Sequence, residues 1–239
     1  VKITILSLFP GILKGYFSDS IMSRAVDRGL IDYELVNIRD YAYDKRHVCD
    51  DGPYGGGAGM VLKAEPLANS LDSIGVEGKR VVYPTPSGRV FSRNIAMELA
   101  AEKELVFICG RYEGIDQRII DLYVDDEISI GDYVISSGEI STLVLVDAIY
   151  RLIEGVIARG SLEEESFTQS LLEYPHYTRP EVFRGLEVPE ILLGGHHAEI
   201  KAWRLRKRVE KTLNTRPELL REGKVGEDVL RIRDELLDK

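Results

Sequence analysis

Four glycine- or proline-containing stretches could let backbone, rather than side chain, meet a ligand: PTPSG (84–88), GRYEG (110–114), IGDYVISSG (130–138) and DDGPYGGGAGM (50–60). The first three each follow an apolar run of strand length. In an open parallel sheet, ligands settle in the crevice beyond the carboxyl ends of the strands. Three loops at equivalent positions therefore argue for one shared pocket better than any one of them does alone. The fourth stretch is either a loop that closes on a ligand or a plain surface turn. The usual phosphate cradles fail on spacing. GPYGGGAG does not complete G-x-G-x-x-G, because Met60 stands where the last glycine belongs, and Ala58 after Gly57 breaks the P-loop pattern. No G-x-S-x-G nucleophile elbow is present.

The elements that must hold these loops follow from periodicity. Strand-like runs occupy 2–9, 31–38, 80–84, 104–109 and, less clearly, 122–130; helical segments lie near 12–28, 64–73, 92–103 and 115–121. Ser92 is placed to cap the helix that follows it. Strands alternating with helices predict an α/β domain with a mostly parallel sheet. The apolar run LVLVDAIYRLI (143–153) reads as a buried helix directly after the third loop. Beyond about residue 158 strand periodicity ends, Pro175 and Pro180 interrupt the chain, and helices are predicted over 202–213 and 227–239. The expected organisation is an α/β domain over 1–157, a flexible linker over 158–170 and a small helical domain over 171–239.

The chain of 239 residues carries a net charge of −9, yet residues 196–216 hold seven Lys or Arg against two Glu. Lys201, Arg204, Arg208 and Lys211 recur at steps of three and four, opposite Ala202, Leu205, Val209 and Leu213. A basic stripe on an acidic protein is either a solvated helix face or a phosphate-binding surface. Cys49 and Cys109 are isolated, which suggests neither a disulfide framework nor a zinc site. No apolar run approaches the roughly 20 residues of a membrane span. The run that ends at Pro10 is too short for a secretory signal. A soluble, cytoplasmic protein is expected.

Seven segments occur together in order: FPGIL, DDGPYGGGAGM, CGRYEGIDQR (109–118), SIGDYVISSGE (129–139), LLEYPHYTRPE (171–181), LLGGHHAEI (192–200) and WRLRKR (203–208). As a set, from residue 1 to about 220, they resemble the bacterial tRNA (guanine-N1)-methyltransferase family. The resemblance implies methyl transfer from S-adenosyl-methionine to N1 of guanosine 37 in tRNA, with guanosine 36 preceding it. It also implies a deep trefoil knot in the parallel-sheet domain, and a homodimer with active sites at the subunit interface. Magnesium is used in the family, but no ligand constellation places an ion here.

The same resemblance assigns the donor site to Tyr83, Thr85, Pro86, Gly110, Tyr112, Glu113, Ile130, Gly131, Asp132, Tyr133, Val134, Ile135 and Gly138. It makes Arg151 the cation that stabilises charge on guanine O6. The general base of the family is an aspartate before Ser-Phe; here the triplet is Glu165-Ser166-Phe167, one methylene longer, with Glu164 the neighbouring alternative. Ser161 and Glu164 also fit a capping box, which would make this acidic run an ordinary helix start. Glu173, His176 and Arg179 would contact the substrate, beside Tyr177 and Thr178. Lys201, Arg204, Arg208 and Lys211 would contact phosphates. Ser136-Ser137-Gly138 stands where Ser-Gly-Gly is common, so Ser137 is expected to take a backbone conformation that glycine takes elsewhere. Two other readings stay open: an α/β enzyme of another nucleotide cofactor, and an RNA-binding module without activity.

Overall fold

The computed structural model describes all residues except 159, 161–164, 223–224 and 239. The chain divides into two compact units, Val1–Ile157 and Ala158–Lys239. The first is built on a five-stranded parallel sheet of β1 (Lys2–Ser7), β2 (Asp32–Asn37), β5 (Arg80–Val90), β6 (Glu104–Ile108) and β7 (Asp126–Ser129), in the order β2-β1-β6-β5-β7. Two short strands, β3 (Asp50–Asp51) and β4 (Val61–Leu62), pair antiparallel beside the glycine-rich stretch.

Strands buried on both faces need near-continuous apolar sequence, and β1 and β6 supply it. Ile3, Ile5, Leu105 and Phe107 face one core, with α1 (Gly11–Phe17), α2 (Ser20–Asp27), α4 (Arg93–Ala100) and α6 (Gly138–Tyr150). Leu6, Val106 and Ile108 face the other, with α3 (Ala64–Ile74) and α5 (Gln117–Tyr123). Ser92 caps α4 as expected, its Oγ accepting from the Ile95 N–H at 3.4 Å.

Several boundaries differ from the sequence expectation. The helix predicted over 12–28 is two helices, because Asp19 caps a new start by accepting from the Ser20 N–H at 2.6 Å. PTPSG is not a loop: it lies inside β5, whose pairing with β7 breaks register between Pro84 and Arg89. Gly88 sits at that break, where a Cβ would collide with the backbone of Glu127 and Ile128. The nearly buried carboxylate of Asp126 ties down both ends of β5, accepting from Arg80 Nε at 2.6 Å and Arg89 Nη2 at 2.7 Å. Strand β7 starts only at Asp126, since α5 runs on to Tyr123.

The second unit packs Leu171, Val209, Leu220 and Val229 into a small core around α7 (His197–Thr215), α8 (Glu218–Glu222) and α9 (Glu227–Leu237). It also holds a hairpin of β8 (Val182–Phe183) and β9 (Leu186–Glu187), which the sequence reading missed. Arg208 corrects the predicted basic face. It is only 5 % exposed and donates to the Leu172 carbonyl at 3.2 Å and the Thr168 carbonyl at 2.8 Å. Its position beside Val209 and Thr212 turns it inward, so it fastens the chain before α7 instead of facing phosphate. Ala202, assigned to the apolar face, is exposed.

Two expected outcomes follow from this packing. Gly138, first in α6, crosses Gly110 so closely that a Cβ would lie 2.5 Å from the Gly110 nitrogen. Gly138→Ala should therefore cost about 1–3 kcal/mol through overpacking, measured by denaturant unfolding; an unchanged midpoint would show that the two loops part freely. Arg208→Met should destabilise the second unit by about 3 kcal/mol, because one buried and one partly buried carbonyl lose a charged donor. The emission of Trp203 during urea unfolding reads this directly, and a wild-type curve would refute the fastening role.

Candidate functional site

The middle of β5, where its register breaks, and the carboxyl ends of β6 and β7 converge on a cavity of about 210 Å³. Tyr83, Thr85 and Pro86 enter it from β5; Gly110, Tyr112 and Glu113 follow β6; Ile130, Gly131, Tyr133, Val134 and Ile135 follow β7; Gly138 opens α6. All line this one space. Asp132, predicted with them, is exposed and does not line it. The glycine-rich stretch reaches the same loops: Glu113 donates its N–H to the Met60 carbonyl at 3.0 Å, and Leu62 donates to Gly114 at 3.0 Å. Gly59 faces the Glu113 carboxylate with no room for a Cβ.

What fixes the loops is a group the sequence reading did not single out. Glu139 is fully buried; its two oxygens accept from Ser7 Oγ at 2.5 Å and Ser137 Oγ at 2.7 Å, and Arg111 Nε lies 3.6 Å away. Arg111 also donates to the Ser136 carbonyl at 2.8 Å and lies over the Phe9 ring, 4.7 Å from its centre. Ser137 is extended, at φ −143° and ψ 115°, so serine replaces the expected glycine there without left-handed strain. Instead, its hydroxyl serves Glu139. Arg111, Ser137 and Glu139 all stood inside quoted motifs, but their meeting is tertiary and no spacing encodes it.

The cavity wall is mixed, glycine, proline and aliphatic residues alternating with serines, tyrosines, Arg111 and Glu113. Tyr133 and Val134 are 56 % and 83 % exposed. Burial pushes the Tyr83 phenol above its usual range, against the lowering effect of Thr85. It pushes the Cys109 thiol, bonded to Thr142 Oγ1 at 3.3 Å, higher still, so neither side chain ionises near neutrality. Among the described residues no group of three His, Cys, Asp or Glu is placed to hold a metal. Such a wall suits a ligand held through carbonyl and N–H groups along its length.

Arg151 is not brought to this cavity within one chain. It follows Tyr150 at the far end of α6, and 13 helical residues span about 20 Å. Glu165 lies in the second unit, on a chain that Ser166 secures by accepting from the Glu173 N–H at 3.1 Å. Glu164 and the Ser161 capping box lie outside the described residues. Glu173 Oε1 and His176 Nε2 are 2.8 Å apart. Arg179, Lys201 and Lys211 are exposed, and Arg204 lies over the Tyr174 ring at 4.8 Å. No helix among the described residues is long and apolar enough to cross a membrane.

A profile of the family described as tRNA (Guanine-1)-methyltransferase TrmD matches residues 1–222. The tRNA (guanine-N(1)-)-methyltransferase of Treponema denticola is 60 % identical over 224 residues, covering 94 % of this chain and 92 % of that protein. Those of Treponema pallidum and Borrelia hermsii are 59 % and 57 % identical, each covering 92 % of this chain and 88 % and 92 % of the relatives. With its loops and these likenesses taken together, the chain belongs to the tRNA (guanine-1)-methyltransferase family.

Proposed function

We propose that this protein transfers a methyl group from S-adenosyl-methionine to N1 of guanosine 37 in tRNA, with guanosine 36 as the preceding nucleotide. The observation that carries the reading is the cavity between the middle of β5 and the ends of β6 and β7, where the segments of the family motif meet. S-adenosyl-methionine, when bound there, supplies a sulfonium methyl that is already activated, so no covalent enzyme intermediate is needed.

The protein's own work is proton removal, charge stabilisation and positioning. Neutral guanine carries a proton on N1, and its lone pair becomes available only as that proton leaves. Glu165 takes it as general base. Arg151 holds the negative charge that grows on O6, a planar donor fork being suited to a fixed anion. The nitrogen pair then forms the N–C bond while the carbon–sulfur pair leaves with sulfur. Because Arg151 lies about 20 Å along α6 from the cavity, it serves a site completed by a second copy. A homodimer is therefore part of the proposal, supported by Ile140 and Val144, which leave α6 47 % and 45 % exposed. Lys201, Arg204 and Lys211 are assigned to tRNA phosphates, and the second unit to tRNA binding. The threading of the donor loops as a trefoil knot and a cytoplasmic location belong to the same reading. Magnesium is given no residue.

The test is methyl transfer from labelled donor to two unmodified transcripts, one with adjacent guanosines at 36 and 37 and one with adenosine at 37. Label should appear in the first alone, recovered as 1-methylguanosine; label in both, or in neither, removes the proposal. Glu165→Gln should keep donor binding and lose at least about 100-fold in single-turnover rate. A near-normal rate would assign the proton to another group.

A further inference from the structure

Asp147 takes no part in the chemistry above, yet it is the acid one helical turn before Arg151 on α6. Tyr16 of α1 donates its hydroxyl to Asp147 Oδ1 at 2.6 Å, across 131 positions of sequence. The Tyr16 ring is itself held edge-on to Phe17 and Tyr150, at 5.5 Å and 6.5 Å between centroids. Burial first, and then Asp147, pushes the Tyr16 phenol above its usual range, so at neutral pH it stays a donor. A carboxylate can accept up to about four donors, so the bond to Tyr16 leaves room for a guanidinium.

The face of α6 supplies the other half. Ile140, Val144, Asp147 and Arg151 recur at steps of four, three and four, which places them on one side of the helix. Arg151 keeps helical backbone, at φ −58° and ψ −29°, so the spacing holds to the last of them. Side chains four apart are neighbours, the later one leaning over the preceding turn, and acid before base is the favourable order. Both charges act on one phenol: Tyr150 is raised by burial and by Asp147, while Tyr16 and Arg151 act the other way. Asp147 and Arg151 are each half-buried, where an unmatched charge is costly.

From this juxtaposition we infer that Asp147 is a positioning residue: braced by Tyr16, it holds one edge of the Arg151 guanidinium and leaves the other edge for guanine O6. The inference rests on the role given to Arg151 above. An arginine at a helix end otherwise turns back onto the last carbonyls or ranges through its rotamers. A donor that stabilises developing charge works best when it is fixed before the reaction. Tyr16 adds rigidity that Asp147 alone would lack, because it ties the acid to a second helix. The competing account is plain bracing of α1 against α6, with no bearing on Arg151.

A double-mutant cycle separates the two. Single-turnover transfer is measured at saturating donor on the transcript with adjacent guanosines at 36 and 37, and donor affinity by calorimetry. Asp147→Asn should slow transfer at least about tenfold through misplacement of the cation. Tyr16→Phe, which keeps the ring, should slow it about threefold, the worth of one hydrogen bond. Donor affinity should not change in either. In an Arg151→Ala background neither change should slow transfer further, since both act through the missing guanidinium. The same slowing there as in the wild type overturns the inference and leaves Arg151 its role. A wild-type rate in Arg151→Ala alone overturns that role, and the positioning with it. Glu154, the exposed acid three residues after Arg151, is the control: Glu154→Gln should transfer normally, and a loss there with none at Asp147 overturns the inference. A second readout needs no methyl transfer. The Arg151 Nε–H resonance of the full chain, identified by its loss in Arg151→Ala, should move in Asp147→Asn and in Tyr16→Phe; a resonance unmoved in both overturns the pairing. Tyr16→Phe removes a single oxygen, so it decides the matter if Asp147→Asn misfolds.

Discussion

One buried carboxylate organises the first unit. Glu139 sits at full burial in the first turn of α6, and moving an anion out of water costs several kcal/mol unless it is well partnered. Its partners come from three directions: Ser7 from the end of β1, Ser137 from the loop after β7, and Arg111 from the loop after β6. The amino end of α6 adds a favourable dipole for a negative group. Each loop is thereby anchored through a group it cannot lose without leaving a charge or hydroxyl buried and unmatched. The close crossing of Gly138 over Gly110, sealed by an N–H to carbonyl bond of 3.1 Å, follows from that arrangement.

This division of labour explains the character of the cavity. The Glu139 carboxylate that holds the loops lies behind the wall, while its partner Arg111 reaches the lining. The wall presents peptide groups, aliphatic side chains and small hydroxyls, together with Arg111, Glu113 and the tyrosines Tyr83, Tyr112 and Tyr133. Recognition through backbone is insensitive to most side-chain substitutions but depends on loop position to a fraction of an ångström. Loops free to wander would lose it. The buried anchor and the backbone-rich wall are two halves of one solution.

Much of this architecture was legible in the residues. The apolar runs of β1 and β6 and the cap at Ser92 required only periodicity and local chemistry. The helix break at Asp19 was readable in principle, as a capping residue inside an amphipathic pattern, but the apolar spacing on both sides masked it. Other features had no local signature. PTPSG is continuous with β5 because Asp126 grips Arg80 and Arg89 from the neighbouring strand, and a proline-glycine stretch alone suggests a loop. Arg208 sits on the boundary between the two faces of α7, where a helical wheel cannot choose; two carbonyls from residues some forty positions earlier decide it. The hairpin at 182–187 has no alternation, since its four strand residues are all exposed. For the site, the loops announced themselves by composition, while the anchor beneath them did not. The distance of Arg151 from the cavity emerged only once α6 had both ends.

The position of β1 in the sheet bears on how the chain is made. Along one edge β1 pairs with β2, Lys2 against Asp32, a partner that leaves the ribosome soon after it. Along its other edge Lys2 aligns with Glu104 and Leu6 with Ile108, so that edge stays open until β6 has been synthesised. Contacts so distant in sequence carry a large loop-closure cost before they return any stability. For much of translation the nascent chain therefore presents Ile3, Ile5 and Leu6, all fully buried in the finished protein, on a strand with one edge unpaired. The stretch that ends by anchoring the cavity through Ser7 is thus the part of the newborn chain most exposed to mispairing.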